Sequence, residues 1–188
     1  AKEIFNKIVY TEYDSIRELF GNMKNNVTFV NIIIIKNKLY LYWNDGGFNE
    51  NDKICISNLC KKSYNSSAGN NGLGIRNSLK TITSDPVLII SKNNENIEYF
   101  KFIGIEKIFK SWKKSTIEHD KLFNKYSNEK NENGTLWVIN LKNVIYYNFM
   151  ENDFKILKSL IKYICCLKIK KKVKINFNYK PLKLNNYL

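Results

Sequence analysis

The chain has 188 residues and is 44% hydrophobic, and its 31 lysines and arginines outnumber its 17 aspartates and glutamates. This length suits one domain with a substantial core and leaves little room for a second. No membrane partner is expected, because the longest apolar run, Ile32–Ile35, has only the length of a strand. The net charge of +14 fits a nucleic-acid partner, but an AT-rich genome also yields many lysines, asparagines and isoleucines, so both explanations stay open.

Cysteine and histidine usage argues against a metal site built from those residues. The four cysteines form no CxxC pair, and His119 is the single histidine. Reduced thiols in core positions are therefore expected, which predicts a protein that works inside the cell. The cysteines are Cys55, Cys60, Cys165 and Cys166.

The first predicted helix covers residues 13–24, where apolar side chains recur at i, i+3, i+4 and i+7. Those side chains are Ile16, Leu19, Phe20 and Met23. Residues 28–35 and 38–43 predict two strands that turn at Asn37 to form a hairpin.

The rest of the chain mixes helical and strand periods. Further helices are predicted at 50–60, 75–83 and 151–166, a polar loop at 61–74, and strands at 86–92, 98–105, 135–141 and 173–179. The last strand is expected to bury one face, made of Val173, Ile175, Phe177 and Tyr179. This order predicts an α+β fold, a two-layer α/β sandwich with helices on one face of a mixed sheet.

Glu18 and Asn22 are the first candidate functional residues. They are four positions apart, so both project from one side of the first helix, away from its apolar stripe. A carboxylate there can act as a general base, and an amide oxygen one turn later can ligate Mg²⁺. The alternative is structural, because Ser15-x-x-Glu18 matches a capping box that would only start the helix.

Asp45, Gly47 and Phe48 follow the second predicted strand. A carboxylate at a strand end can accept a hydrogen bond from an exocyclic amine such as that of adenine, and glycines let a flat base approach the backbone. The alternative is an ordinary turn after a strand.

A glycine-bearing loop opens directly into the third predicted helix. Such a loop can aim backbone N–H groups at a phosphate, with Lys62 or Arg76 adding charge, whereas a flexible loop is the plain alternative. The loop residues are Gly69, Asn70, Asn71, Gly72, Leu73 and Gly74. A fourth group, Gly134 and Thr135, by itself indicates only that a strand begins.

Taken in this order and spacing, the four groups resemble the GHKL (Bergerat-fold) ATPases, which include gyrase-type topoisomerases, the ninety-kilodalton heat-shock chaperone, MutL mismatch-repair proteins and Microrchidia (MORC) proteins. IRELFGN (Ile16–Asn22) is similar to the Glu-x-x-x-Asn helix of these ATPases, and NDGGF (Asn44–Phe48) to a shortened Asp-x-Gly-x-Gly motif. AGNNGLGIRNSL (Ala68–Leu79) is similar to the Gly-x-x-Gly-x-Gly lid. GTLWVINLK (Gly134–Lys142) follows LFNKYS (Leu122–Ser127) in the order typical of MORC proteins.

The resemblance implies a domain that binds ATP and Mg²⁺. Glu18 would activate the attacking water and Asn22 would hold the Mg²⁺, while Asp45 would read adenine. Gly47, Phe48 and Thr135 would complete the nucleotide site, and the lid would cover the phosphates. In MORC-like proteins ATP closes two such domains into a homodimer that clamps or compacts DNA, which makes the nucleus a candidate compartment.

The same resemblance divides the chain into an ATPase-like domain at 1–145 and the start of a transducer-like segment at 146–188. Two alternatives remain. The shortened motif at Asp45 favours a Bergerat-fold binding module that does not hydrolyse ATP. The run Lys168–Lys174 favours a basic nucleic-acid-binding protein.

Overall fold

One mixed β-sheet organises the chain in a computed structural model, which describes residues 11–57, 73–104, 107–108, 112–127, 132–168 and 173–184. Its strands are β1 (Phe29–Ile35), β2 (Lys38–Trp43), β3 (Val87–Asn93), β4 (Asn96–Ile103), β5 (Lys107–Ile108), β6 (Lys113–Lys114), β7 (Gly134–Asn140), β8 (Lys174–Phe177) and β9 (Lys180–Pro181). The helices in the described ranges are α1 (Glu12–Gly21), α2 (Glu50–Ser57), α3 (Leu73–Ile82), α4 (Ile117–Tyr126), α5 (Asn143–Glu151) and α6 (Lys155–Lys168).

The strands lie in the order β5-β4-β3-β7-β2-β1-β8-β9, and β6 also pairs with β4. Strands β1 and β8 run parallel, whereas the other neighbouring pairs are antiparallel. The predicted hairpin at Asn37 is confirmed, because Ile35 pairs with Lys38 across the turn. The long separation in sequence between β1 and β8 explains why no local pattern announces their pairing.

Two apolar cores lie on opposite faces of the sheet. The larger core joins the sheet to α1, α3 and α6, and it includes Phe20, Trp43 and Leu157. The smaller core lies behind the sheet, where Phe123 and Tyr126 of α4 cover Ile33. Strand β1 is therefore buried on both faces, which accounts for its unbroken isoleucine run.

The predicted α+β sandwich is confirmed, with one addition from α4. That helix was not predicted, because its sequence IEHDKLFNKY is mostly polar. It starts at a capping box in which the Thr116 hydroxyl accepts from the His119 N–H and the His119 ring accepts from the Thr116 N–H. Among the residues that the structure describes, helices therefore cover one face of the sheet broadly, and α4 covers part of the opposite face.

The predicted helix at 151–166 corresponds to α6, which begins only at Lys155, whereas α5 (Asn143–Glu151) was not predicted. Asp153 and Phe154 adopt φ values of 54° and 60°, which no continuous helix allows, so α5 ends before them and α6 begins after them. The proposed boundary at 145/146 falls within α5, and β8 beyond it pairs with β1. The division into two units stays a prediction.

Tyr179 does not lie on the buried strand face that alternation predicted. Val173, Ile175 and Phe177 are buried, but β8 ends at Phe177 and Tyr179 stands in the following turn with 70% of its surface exposed. The chain turns there because Asn178 and Tyr179 adopt φ values of 46° and 68°.

In the described ranges no helix is both long and apolar enough to cross a membrane. In the same ranges no cluster of histidine, cysteine, aspartate or glutamate has the make-up of a metal site. Of the loop predicted at 61–74, residues 61–72, with Lys62, Gly69, Asn70, Asn71 and Gly72, lie outside the described residues, as does Cys60.

Candidate functional site

The carboxylate of Asp45 is the centre of the candidate site. Asp45 follows β2 and keeps only 4% of its surface exposed. Its Oδ1 accepts hydrogen bonds from the Thr135 hydroxyl and the Gly47 N–H, both at 2.9 Å. Its Oδ2 accepts a hydrogen bond from the Trp43 indole N–H at 3.1 Å. Two of the four predicted groups, 90 positions apart, therefore meet in one hydrogen-bonded unit.

Sheet register explains this meeting. Trp43 on β2 pairs with Thr135 on β7, and Thr135 pairs with Ser91 on β3. Directly paired residues share a face of the sheet, so these three side chains form a row beneath the loop that carries Asp45. The Ser91 hydroxyl accepts a hydrogen bond from the Phe48 N–H at 2.7 Å, which anchors the far end of that loop.

Gly47 permits the loop to pack against the sheet. Its φ is +79°, a conformation that side chains disfavour, and a Cβ there would lie 2.3 Å from the Lys92 carbonyl oxygen. Gly134 is restricted by space alone, since a Cβ there would lie 2.6 Å from the Trp43 carbonyl oxygen. Both glycines are thus required by close backbone approach.

Burial raises the pKa of the Asp45 carboxyl above its ordinary value. The nearby Lys24 ammonium and the hydrogen bonds from Gly47 and Thr135 oppose that shift but do not cancel it. Burial makes the ionised form of this carboxyl unfavourable. A further hydrogen-bond donor would therefore stabilise the ionised form.

The segment after α1 ties that helix to the Asp45 loop. The Lys24 ammonium donates to the Gly47 carbonyl at 3.0 Å and pairs with the Asp52 carboxylate of α2 at 2.6 Å. The Asn26 amide donates to the Asp45 carbonyl at 3.1 Å. The carboxyl-terminal end of α1 is therefore held beside the loop.

Glu18 and Asn22 occupy the end of α1 that leads into this segment. The capping box at the start of α1 is formed by Thr11 and Asp14, so the alternative in which Ser15 and Glu18 cap the helix is wrong. The Ser15 hydroxyl instead donates to the Ser78 carbonyl of α3 at 2.7 Å. Glu18 has no capping role and is half-buried.

Burial raises the pKa of Glu18 above its ordinary value, and Arg17 partly opposes the shift. The Asn22 side-chain N–H donates to the Glu18 backbone carbonyl at 2.7 Å, which fixes the plane of the amide. Its oxygen Oδ1 is the atom that would ligate a cation. A base with a raised pKa and an oriented amide are a combination suited to metal-assisted hydrolysis.

Aromatic side chains line the sheet beside Asp45. Phe48 lies 4.9 Å from Trp112 and 6.4 Å from Trp137, measured between ring centroids, and Trp137 lies 6.1 Å from Trp43. Sequence reasoning identified Phe48 but missed the tryptophans, Ser91 and Lys24. Strand alternation from Thr135 could have placed Trp137 on the same face, whereas Lys24 and Ser91 carried no local signal.

The Arg76 side chain is buried in the core in this structure. It is 0% exposed and donates to the Gly104 carbonyl through Nε at 2.9 Å. Its guanidinium also packs 5.4 Å from the centre of the Phe102 ring, and burial lowers its pKa to about 10. The expectation that Arg76 adds charge to an anion site is therefore replaced by a core role. Leu73 and Gly74 form the first turn of α3.

Comparisons with known proteins identify the architecture. A scan against protein-family models and a search of curated proteins each find no match. Among solved structures, the ATPase region of Saccharomyces cerevisiae topoisomerase II matches 94% of this chain with a TM-score of 0.62 and 13% sequence identity. The chain has the fold of a GHKL ATPase domain.

The chain spans about half of the topoisomerase region, namely 49% of its length. At 13% identity the match establishes the fold and leaves the chemistry to the residues of this chain. In this fold the loop that carries Asp45 and the carboxyl-terminal end of α1 lie side by side, joined by the hydrogen bonds from Lys24 and Asn26.

Proposed function

We propose that this chain binds ATP with Mg²⁺ at the Asp45 site. The observation that carries the proposal is the buried Asp45 carboxylate, which Thr135, Gly47 and Trp43 hold in place. An ionised carboxylate offers about four acceptor positions. Donors occupy two on Oδ1 and one on Oδ2, so Oδ2 retains a position for the exocyclic amine of adenine.

The other roles follow from position and chemistry. Phe48 would contact the base beside Asp45, and Asn22 would ligate the Mg²⁺ that neutralises the phosphates. Glu18 would orient and deprotonate the attacking water. The loop Gly69–Gly74 and Lys62 stay predicted phosphate contacts. In phosphoryl transfer such positioning and charge neutralisation supply most of the catalysis.

Asp45→Asn tests the adenine-reading role. The variant keeps the side-chain shape but replaces one acceptor oxygen with a donor, so three protein donors and the adenine amine compete for one oxygen. We expect ATP affinity, measured by isothermal titration calorimetry with Mg²⁺, to fall at least about ten-fold, as for loss of a charge-assisted hydrogen bond. The free energy of unfolding, measured in urea, should fall by about 1–3 kcal/mol.

Asp85→Asn is the matched control, because Asp85 is exposed and lies before β3, at the end of that strand away from Ser91. It should bind ATP as the native chain does. If Asp45→Asn does not fold, Thr135→Val tests the same site indirectly, because it removes one of the hydrogen bonds that position the Asp45 carboxylate. The proposal fails if the native chain shows no heat of ATP binding and no thermal stabilisation by ATP.

A finer proposal is that ATP closes two copies into a homodimer that clamps DNA, with slow hydrolysis releasing it, as in MORC proteins. The MORC-like order of motifs supports it. A non-hydrolysable ATP analogue should convert the 22.2 kDa monomer to a dimer, and analytical ultracentrifugation measures that change in mass. An unchanged mass at saturating analogue would remove the dimer and keep the ATP site.

A second candidate is a GHKL-fold module that binds ATP without turning it over. The short Asp45–Phe48 motif favours it, because it lacks a residue that the corresponding ATPase motif has. Binding without phosphate release by the native chain would establish this candidate.

A further inference from the structure

A cluster of tyrosines and lysines lies on the face of the sheet opposite Asp45. The Tyr40 and Tyr126 rings stack with centroids 4.1 Å apart and planes 14° apart. The Lys125 ammonium lies 5.4 Å from the centre of the Tyr126 ring. We call this group, with Lys38 on the same face of β2 as Tyr40 and with Tyr179 in the β8–β9 turn, the tyrosine–lysine patch.

Backbone hydrogen bonds bring the β8–β9 turn to this patch. The Asn178 N–H donates to the Ile32 carbonyl at 2.9 Å, and the Asn178 side-chain oxygen accepts from the Ile34 N–H at 2.8 Å. Burial raises the pKa of Tyr126, a hydrogen bond with Tyr40 partly opposes that shift, and Tyr179, which follows Asn178, lies close enough to add a smaller increase. Burial also raises the pKa of Tyr40, and nearby Lys38 and Lys125 oppose that shift.

Tyr179 occupies an unfavourable backbone conformation while its ring faces solvent. Two successive positive φ values, 46° at Asn178 and 68° at Tyr179, are typical of a hairpin turn that prefers Asn-Gly. A bulky residue in the second position is an outlier that costs free energy. The ring is 70% exposed, so packing does not repay that cost, and such strain is characteristic of functional positions.

The charged side chains on the strands and turns that form the patch are all positive. Residues 27–43 and 173–184 contain no aspartate or glutamate, and their lysines are Lys36, Lys38, Lys174, Lys180 and Lys183. Helix α4 carries its carboxylates, Glu118 and Asp120, in its first turn, whereas Tyr126 ends the helix. Lysines at a sheet edge also deter aggregation, but that role does not call for an exposed aromatic ring.

We propose that the tyrosine–lysine patch binds single-stranded nucleic acid. An unpaired base stacks on the Tyr179 ring, the stacked Tyr40–Tyr126 pair supports the neighbouring surface, and the lysines neutralise phosphates. Aromatic stacking with a basic groove is the usual means of sequence-tolerant single-strand binding. A duplex presents no free base face for Tyr179. The proposal does not rest on ATP binding, since Tyr40 and Asp45 serve opposite faces of the sheet.

The test is fluorescence anisotropy of the full chain with a labelled oligothymidylate of roughly 15 nucleotides, without ATP. Tyr179→Gly should weaken binding roughly five-fold to a hundred-fold, as expected when one base no longer stacks. Its urea midpoint should stay the same or rise, because glycine suits the positive φ. Tyr179→Phe should bind like the native chain, and Tyr147→Ala on α5, which removes a ring that is 60% exposed elsewhere, should have no effect.

Lysine variants separate local binding from attraction by net charge. Lys38/Lys125→Gln should weaken binding and flatten its salt dependence by about 0.7 in log–log slope for each phosphate that is no longer neutralised. Lys113/Lys114→Gln removes the same charge from exposed sites on β6, at the opposite end of the sheet, and should change binding much less.

Three results overturn the proposal. Equal weakening in the two lysine variants would show attraction by net charge alone. A Tyr179→Gly variant that binds the oligonucleotide as tightly as the native chain, or a duplex of equal length that binds better than the single strand, would remove base stacking.

Discussion

Replacing Glu18 by glutamine is expected to abolish most Mg²⁺-dependent ATP turnover while leaving ATP binding intact. Glutamine keeps the size of the side chain but cannot accept the proton of the attacking water. Loss of a general base costs roughly 100- to 10,000-fold in rate. Phosphate release under saturating ATP measures turnover, and calorimetry with ATP and Mg²⁺ measures binding.

Thr11→Ala is the contrasting variant on the same helix. The structure assigns the capping box of α1 to Thr11 and Asp14, so this change should cost about 0.5–2 kcal/mol of stability and leave turnover per folded molecule unchanged. Glu18→Gln should show the reverse pattern. Loss of stability without loss of turnover in Glu18→Gln would make Glu18 a structural residue.

The pH profile gives the same residue a second signature. Burial raises the pKa of Glu18 above its ordinary 4.5. A general base acts when it is ionised. The turnover rate should therefore decline as the pH falls through that raised pKa, and it should reach its maximum above that pKa. Glu18→Gln should remove this acid limb from any residual activity.

Gly47→Ala is expected to destabilise the fold strongly. Alanine at a φ of +79° costs about 1–2 kcal/mol, and overpacking adds about 1–3 kcal/mol. The overpacking arises because the new Cβ would lie 2.3 Å from the Lys92 carbonyl oxygen, which belongs to the β3 backbone and cannot rotate away. The free energy of unfolding in urea should therefore fall by about 2–5 kcal/mol, and ATP binding should disappear with the loop geometry.

Gly21→Ala is the matched control for that prediction. Gly21 is the last residue of α1, and a Cβ there would meet nothing within 4 Å. Alanine in a helix is favoured over glycine by about 0.5–1 kcal/mol, so this variant should gain stability. If both glycine variants change stability by the same amount, the close approach of Gly47 to β3 is not what the loop depends on.

Local periodicity correctly predicted the elements in which one apolar face is buried. The stripe of Ile16, Leu19, Phe20 and Met23 predicted α1, and all four side chains are buried. Strand β2 lies at the predicted bounds, Lys38–Trp43, because its termini are set by a tight turn and by the Asn-Asp-Gly-Gly loop. Elements whose signals combine periodicity with a clear stop are those that a sequence predicts well.

Elements without such signals were missed. Helix α4 buries little beyond Phe123 and Tyr126, so its apolar stripe is too short to detect. The break between α5 and α6 depends on the positive φ of Asp153 and Phe154, neither of which is a glycine or proline. The core role of Arg76 was also missed. An arginine near the start of a helix suggests an anion site, and its actual hydrogen-bond partner, the Gly104 carbonyl, is distant in the sequence.

The sequence by itself determined the placement of Glu18 and Asn22 on one side of a helix, since a spacing of four residues is a local property of the backbone. It also determined the glycine turn that carries Asp45. Only the tertiary structure decided that the Asp45 carboxylate meets Thr135, 90 positions away, and that Glu18 is free of the helix cap. The physical reason is that helical spacing depends on neighbours along the chain, whereas strand register depends on how whole faces of a sheet pack, which no short segment encodes.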